Sequence, residues 1–285
     1  MNKPLRILIS CIHWPVASGR YIARAFTRLG HDVRTVGPSS GTGIWSMDVS
    51  PQWVWEPNYK PEEEDWKPDL WVTSDSHYAY DPQPPLTCPH VCFGMDNHVR
   101  TYADMGLKFD AMFLAHSWGA RMGEPNVYWC PPGYDPECHI NWQRERPIDI
   151  GMLGYPYQER IDMITDFRAA GLDVTAGIGL IWDDYASFYN NVKIALVKSV
   201  NGDLTQRFLE TMAMGCCVLA DRVTDADKLG FVPGVHYISY ENTEDAIKKA
   251  RDILPIARGN EAGQEKVKPF TWDRCAAQIL ETMKL

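Results

Sequence analysis

The sequence predicts an α/β fold made of two doubly wound halves, and three observations predict it. Short apolar runs recur along the chain, each bounded by Pro, Gly or Asp. Helix-length amphipathic segments separate them, which implies parallel strands with both sheet faces covered. A stretch rich in Pro, Gly and charge interrupts this rhythm near the middle, and 285 residues suit two domains of about 140 residues, each able to bury a core.

In the first half, Arg6–Ile12 reads as a strand and Ser18–Leu29 as a helix stopped by Gly30. His31–Gly37, Asp69–Thr73, His90–Met95 and Phe109–Ala115 supply four more strands. Between Pro38 and Pro68 the alternation lapses. That stretch carries Trp45, Trp53, Trp55, Tyr59 and Trp66, several prolines and the acidic run Glu62–Asp65; a loop this long inside a compact domain is more often functional than idle. Cys130–Pro147 is the expected boundary. The second half winds again: strand Ile148–Leu153, helix Gln158–Ala170, strand Asp173–Ala176, helix Asp183–Asn191 and strand Ile194–Lys198. A helix from Thr205 to Met214, strands Cys217–Ala220 and Tyr237–Tyr240, helix Thr243–Leu254 and a final helix Phe270–Leu285 complete it. Doubly wound sheets bind ligands at the carboxyl ends of their strands, so two such halves facing one another predict function in a groove between them.

Composition narrows the classes. Hydrophobic residues make 45% of the chain, a globular profile. Lys plus Arg number 28 against 37 Asp plus Glu, a formal charge of −9, which argues against a general nucleic-acid binder. No apolar run approaches the ~20 residues that span a bilayer. MNKPLRILIS enters a strand without a signal-peptide layout. Eight cysteines, several inside apolar segments, read as free thiols of a reducing compartment, so a cytoplasmic location is expected. Cys88, His90 and Cys92 alternate on one strand face, but a metal centre needs a fourth ligand and turn-borne pairs.

Asn201–Asp221 (NGDLTQRFLETMAMGCCVLAD) is the most informative stretch. It passes from a polar loop into a helix, stops at Gly215 and enters a buried strand. The helix N-terminus near Thr205 offers unpaired N–H groups and a positive dipole end suited to a diphosphate. Arg207 adds a forked contact to phosphate, and Glu210, on the same face, offers acceptors for both hydroxyls of a ribose. An ordinary surface Arg–Glu pair is the alternative.

This segment resembles the donor-binding motif of the GT-B glycosyltransferases, in particular the retaining group 1 family and relatives similar to spore-maturation glycosyltransferases. Arg207, Phe208, Glu210, Ala213, Gly215 and Cys217–Asp221 stand in the family's order. Ile148–Ile161 is similar to the family's opening of the second domain, Tyr134–Asp135 in PPGYD to its inter-domain signature, and FTWDR to the start of its terminal helix. The resemblance implies a GT-B fold of two Rossmann-like domains facing a central cleft: residues 1–140 for the acceptor, 147–269 for the nucleotide-sugar donor, and 270–285 as a helix crossing back to the first domain. It implies a metal-independent glycosyltransferase of the hexosyl class, moving sugar from a nucleoside diphosphate donor, expected to be UDP-linked, to a hydroxyl acceptor with retention. No bound cofactor is expected. Glu210 would hold the donor ribose, and Arg160, Arg207 and the Thr205 turn its pyrophosphate. Gly154 would let backbone approach closely. The family's first glutamate falls at Gly202, so Asp203 or Asn201 would contact the donor sugar instead.

Acceptor-side candidates sit at strand ends of the first half. His13 follows the first strand, Asp75, Ser76 and His77 the third, and Asp96, Asn97 and His98 the fourth. A carboxylate or imidazole there orients a hydroxyl or takes its proton, with Asp96, His98 and His13 as catalytic choices and Asp75, His77, Arg20 and Trp45 as acceptor contacts. The alternative for each is a loop-capping polar group. Arg20, Arg24 and Arg28 recur every fourth residue, either as a solvated face or as a phosphate-tracking stripe. With the tryptophan loop, such a stripe would serve an acceptor that stacks and carries phosphate, including hydroxymethylated DNA bases as in phage-type enzymes of this layout. A nucleotide-sugar binding protein without turnover is the other alternative. Asp183–Asp184 and Asp225-Ala-Asp227 resemble a metal-binding D-x-D only superficially.

Overall fold

The computed structural model describes residues 3–39, 54–63, 65–74, 86–102 and 109–285. The chain divides into two compact units, Met1–Pro132 with Trp272–Leu285, and Gly133–Thr271.

The first unit is a parallel six-stranded sheet. Its strands are β1 (Arg6–Ser10), β2 (Asp32–Val36), β3 (Leu70–Ser74), β4 (His90–Gly94), β5 (Ala111–Leu114) and β6 (Val127–Trp129), in the order β2-β1-β3-β4-β5-β6. β3, β4 and β5 are buried at every position, as continuous apolar runs in a parallel sheet require. Helix α1 (Ser18–Arg28) buries Tyr21, Ile22, Ala25 and Phe26, a 3.6-residue stripe. The last helix of the chain, α8 (Trp272–Met283), packs in this unit through Trp272, Cys275, Ala276 and Ile279. Trp272 stacks on Tyr21 at 5.7 Å, Arg28 grips Asp273 through Nε and Nη2 at 2.9 and 2.6 Å, and Gln278 donates to the Trp129 carbonyl.

Arg28 is therefore committed to an ion pair, and Arg34 likewise pairs with Glu63 under the Trp66 ring. Of the predicted stripe, Arg28 is thus already paired within the fold. His90 stacks on Trp71 at 3.5 Å and shares a 2.8 Å hydrogen bond with Thr73 Oγ1, which in turn bonds Ser10 Oγ. These contacts satisfy a buried polar network of the kind a parallel core tolerates.

The second unit is a parallel five-stranded sheet of β7 (Ile148–Leu153), β8 (Val174–Gly177), β9 (Val192–Val197), β10 (Cys217–Asp221) and β11 (Ile238–Tyr240), ordered β11-β10-β9-β7-β8. The helices are α2 (Gln158–Ala169), α3 (Trp182–Asn190), α4 (Gln206–Ala213), α5 (Thr224–Lys228), α6 (Thr243–Ile253) and α7 (Glu261–Val267). Phe208, Phe231 and Tyr237 form an aromatic cluster on one face, and Met163, Phe167, Leu196 and Leu219 pack on the other. Gly215, at φ 84°, ends α4: the Cys216 amide reaches back to Thr211 O at 3.0 Å, a closure that needs a left-handed residue. Arg146 spends its terminal nitrogens on the carbonyls of Tyr189, Val192 and Met214 and on Asn141 Oδ1, so its charge meets the negative ends of α3 and α4. β6, α5 and α7 are additions to the elements the sequence predicts. Among the described residues, no helix is long and apolar enough to cross a membrane.

Candidate functional site

In the second unit the winding reverses between β7 and β9, which are neighbours through the pair Ile150–Ile194 although β8 lies between them in sequence. Such a switch point leaves a crevice at the carboxyl ends of the two strands. Everything the sequence predicts for the donor comes from those two ends. Gly154 directly follows β7, and Arg160 lies in the first turn of α2. The segment after β9 carries Ser199, Asp203 and Thr205 into α4, where Arg207 and Glu210 follow.

Gly154 has φ 146°, a region open essentially to glycine. A Cβ there would lie 2.5 Å from Arg207 Nη2 and 3.2 Å from Arg160 Nη1. Two guanidinium groups thus converge over a stretch of backbone that has no side chain. Arg160 is buried and anchored: Nε and Nη2 donate to the Lys198 carbonyl at 3.3 and 2.9 Å, Nη1 to the Tyr155 carbonyl at 3.1 Å, and its plane lies over Tyr157. Arg207 differs. Its Nε is buried without a hydrogen-bond partner, and no ion pair to it exists among the described residues. Lys198 Nζ lies 3.8 Å from Glu159 and 3.9 Å from Asp221.

Charge follows geometry. Burial, and then the Arg207 charge, hold the Arg160 pKa below its ordinary value. Burial works against the Arg207 charge too, but Tyr189, Tyr185, Glu210 and Asp203 outweigh it and raise its pKa. Burial raises the Asp221 pKa from its ordinary value, against the Ser199 amide and Lys198. Two like charges thus meet at Gly154, and among the described residues neither guanidinium makes an ion pair with a carboxylate.

Around this pair, Thr205 Oγ1 is buried without a partner and does not cap α4. Asp203 Oδ1 accepts from Ser199 Oγ at 2.8 Å. Glu210 is 6% exposed, and its carboxylate accepts from Tyr185 Oη and from Gln206 Nε2, both at 2.6 Å. His139 Nε2 stands 3.6 Å from Glu210 Oε1. On the other side of Gly154 and Arg160 lies a cavity of about 200 Å³ lined by Met152, Tyr155, Ile161, Ile164, Ala176 and Ile178. Tyr155, Ile161 and Ile178 are exposed, and apolar groups left open at a strand end beside a cationic pair suit a planar ring.

Sequence reasoning missed Tyr185, His139, this apolar cavity and the contact of the Gln206 side chain with Glu210, Gln206 being read only with Thr205 as the helix turn for a diphosphate. The i, i+4 spacing of Gln206 and Glu210 was the available signal; nothing local marks His139.

The first-unit candidates are dispersed. His13 is fully buried, shares a 2.9 Å hydrogen bond with Thr35 Oγ1 through Nε2, and packs on Trp55 at 4.3 Å. Arg20 lies over the same Trp55 and donates to Pro15 O. The Asp96 carboxylate pairs with Arg100 at 3.5 Å, and its backbone amide donates to Tyr102 Oη at 2.7 Å. His98 packs against His116 and Trp118 at 4.5 and 5.7 Å. Asn97 fastens the loop after β4 to the loop after β5, donating to His116 O and Trp118 O and accepting from the His116 amide. Asp75, His77 and Trp45 lie outside the described residues.

Comparison with known proteins agrees with this architecture. Residues 142–281 match a family model described as glycosyl transferase-like. No curated protein matches the sequence. Among solved structures, the fold is similar to sucrose-phosphate synthase from Thermosynechococcus elongatus, with a TM-score of 0.64 at 14% identity over 98% of each chain. It is similar to an alpha-glucosyltransferase in complex with UDP and a 13-mer DNA containing an HMU base, with a TM-score of 0.66 at 11% identity over 99% of this chain and 100% of that one. The catalytic domain of starch synthase IV from Arabidopsis thaliana, bound to ADP and acarbose, gives a TM-score of 0.59 at 10% identity over 98% of each chain. The stretch that carries the cationic crevice thus matches a glycosyl transferase-like family model, and the chain shares its two-sheet fold with glycosyltransferases of known structure.

Proposed function

We propose that the protein transfers a sugar from a nucleoside diphosphate donor, UDP-linked, to a hydroxyl acceptor with retention at the anomeric carbon. The observation that carries this reading is the meeting of Arg160 and Arg207 over Gly154, with Arg207 Nε buried without a hydrogen-bond partner among the described residues. The diphosphate lies between these guanidinium groups and the uncapped N-terminus of α4. The base lies on the apolar cavity beside Tyr155 and Ile178, and Glu210 accepts from the ribose hydroxyls. Asp203 or Asn201 reaches the donor sugar in place of the glutamate absent at Gly202.

As the glycosidic bond breaks, negative charge grows on the leaving diphosphate. Arg160 is held by two carbonyls and cannot swing away, so its charge is already oriented when that charge develops. The reaction needs no bound metal on this reading. The acceptor lies at the first unit, where Asp96 and His98 are the candidates for orienting its hydroxyl; His13, fully buried against Thr35 and Trp55, has no open face to offer it.

Incubation with UDP-glucose, UDP-N-acetylglucosamine and ADP-glucose against saccharide acceptors, with and without chelator, tests the proposal. Transfer that survives chelation and is lost in Glu210→Ala together with nucleotide affinity supports it; unchanged affinity in that variant removes Glu210 from the donor site. A second reading takes its motive from the structural neighbour in complex with UDP and a DNA containing an HMU base. Label appearing on hydroxymethylated DNA, and on no saccharide, favours that acceptor against the −9 charge of the chain.

A further inference from the structure

Glu210 is not a bare carboxylate waiting for a ligand; three elements of the second unit converge on it. Tyr185 reaches it from α3 and donates to Oε2 at 2.6 Å. Gln206, one turn earlier on α4, donates to Oε1 at 2.6 Å. His139 approaches Oε1 from the segment before β7, 3.6 Å away and 4% exposed.

The His139 ring is fixed by its own turn. The His139 and Cys138 amides close back on Asp135 O at 2.9 and 3.2 Å, and Asp135 Oδ1 takes the Glu137 amide. The Asp135 amide donates to His139 Nδ1 at 3.0 Å. Nδ1 is thus an acceptor, so in the neutral ring the proton sits on Nε2, the nitrogen that faces Glu210. Tyr185 stays a donor as well, because burial, and then the Glu210 charge, push its pKa well above the ordinary tyrosine value.

An ionised carboxylate offers about four acceptor positions. Tyr185 takes one on Oε2 and Gln206 one on Oε1, while His139 Nε2, at 3.6 Å, lies beyond hydrogen-bond distance and steadies Oε1 without filling a position, so one is left free on each oxygen. Two single vacancies on the two oxygens of a fixed carboxylate match two adjacent hydroxyls, each donating once. We propose that Tyr185, Gln206 and His139 form a clamp that sets Glu210 as a pre-oriented double acceptor for a vicinal diol, making the site selective for ribonucleoside over 2′-deoxyribonucleoside diphosphates. This rests on the reading of Glu210 as the ribose contact. Tyr185, Gln206 and His139 act through Glu210 and are positioning residues. Without them the three side-chain torsions of Glu210 are free, and the ligand must order them on binding.

The test measures the affinity of UDP, ADP and GDP and of their 2′-deoxy counterparts by calorimetry. The proteins compared are the full chain and its Tyr185→Phe, His139→Ala, His139→Gln and Glu210→Gln variants, each checked for folding by thermal unfolding. The ratio of ribo to deoxy affinity does not depend on the fraction of protein that is active, so a general loss of fold leaves it unmoved. The parent chain is expected to favour the ribo form of its nucleotide by roughly tenfold or more. Tyr185→Phe and His139→Ala are expected to lower that ratio about three- to tenfold, and His139→Gln, which keeps an N–H at similar reach, to restore part of it.

If Glu210→Gln abolishes the preference while Tyr185→Phe and His139→Ala leave it intact, the clamp is wrong and the ribose contact stands. A preference untouched by Glu210→Gln, or no binding of any of these nucleotides, defeats the underlying reading itself. Tighter UDP binding by Tyr185→Phe also overturns the clamp, since the hydroxyl is then a competitor for the carboxylate.

Discussion

Gly154→Ala places the smallest possible side chain where the two guanidinium groups meet. The new Cβ would stand 2.5 Å from Arg207 Nη2 and 3.1 Å from its Cζ, closer than carbon and nitrogen approach without a bond. Arg160 is pinned by the Lys198 and Tyr155 carbonyls, so Arg207 is the group that moves. Its displacement costs the diphosphate a charge-assisted contact of about 1.5–3 kcal/mol, a fall in affinity of roughly ten- to 150-fold. The backbone adds a separate cost, because alanine at φ 146° loses about 1–3 kcal/mol of stability. Calorimetry with UDP and with uridine separates the two effects. UDP affinity is expected to collapse while uridine, which has no phosphates, binds the variant as it binds the parent. Equal UDP affinity in the two proteins would refute the diphosphate cradle, and equal loss of UDP and uridine would show that the substitution merely unravels the crevice.

Three further outcomes follow from the same geometry. Arg207→Ala removes a guanidinium that stands beside another cation and makes no ion pair among the described residues, so it is expected to lower UDP affinity by roughly tenfold or more; affinity equal to the parent's would show that Arg207 does not meet the phosphates. His13 is buried, and that burial first of all, with Arg20 adding to it and the nearby Cys11 and Pro38 backbone opposing, pushes its pKa down to about 4. The unfolded chain takes up this proton near pH 6.5 and the folded chain does not, so His13 favours folding above that pH and its contribution falls away between pH 6.5 and 4, by about 3 kcal/mol at most. Thermal unfolding between pH 7.5 and 4.5 should therefore decline less steeply in His13→Gln than in the parent, and identical slopes would contradict the buried neutral imidazole. Asp273→Ala breaks the grip of Arg28 on α8 in a half-buried setting, at a cost of about 1–2 kcal/mol; hydrogen exchange in α8 should quicken, and unchanged protection there would count against the pair.

Much of the fold was legible because parallel strands buried on both faces write themselves as unbroken apolar runs. LWVTS and HVCFG are buried at every residue, and their flanking Pro, Asp and Gly mark both ends. The α4 region was legible for another reason: its helix start, Arg207, Glu210 and the Gly215 stop lie within one short span. What escaped notice was either short or distant. β6 is three residues with alternating partial burial, and α5 is five residues, too little for any period to register. α7 carries Gly263, which weakens its helical signal; the Asn260 side chain accepting the Gly263 amide marks its start.

Distance hid the partners. The Arg28 stripe reads as a solvated face until its carboxylate, 245 residues away, closes on it. His139 meets Glu210 only because an Asp135 turn aims it there. The first-unit candidates show the converse. His13 and Asp96 stand at strand ends as the sequence suggests, yet each already has a local partner, Thr35 or Arg100, which sequence alone does not reveal.

A nucleoside diphosphate held in the crevice between β7 and β9 stabilises the folded chain, and thermal unfolding reads that stabilisation. Thermal unfolding is followed with UDP, GDP, TDP and ADP and their common sugar conjugates, for the parent and for Glu210→Ala and Arg207→Ala. At a hundred times its dissociation constant a ligand adds about 2.7 kcal/mol to the folded state, a shift well within reach of the method. The account predicts a rise with one ribonucleotide family that both substitutions abolish. A chain that none of these nucleotides stabilises, or a rise that both variants keep, would contradict it.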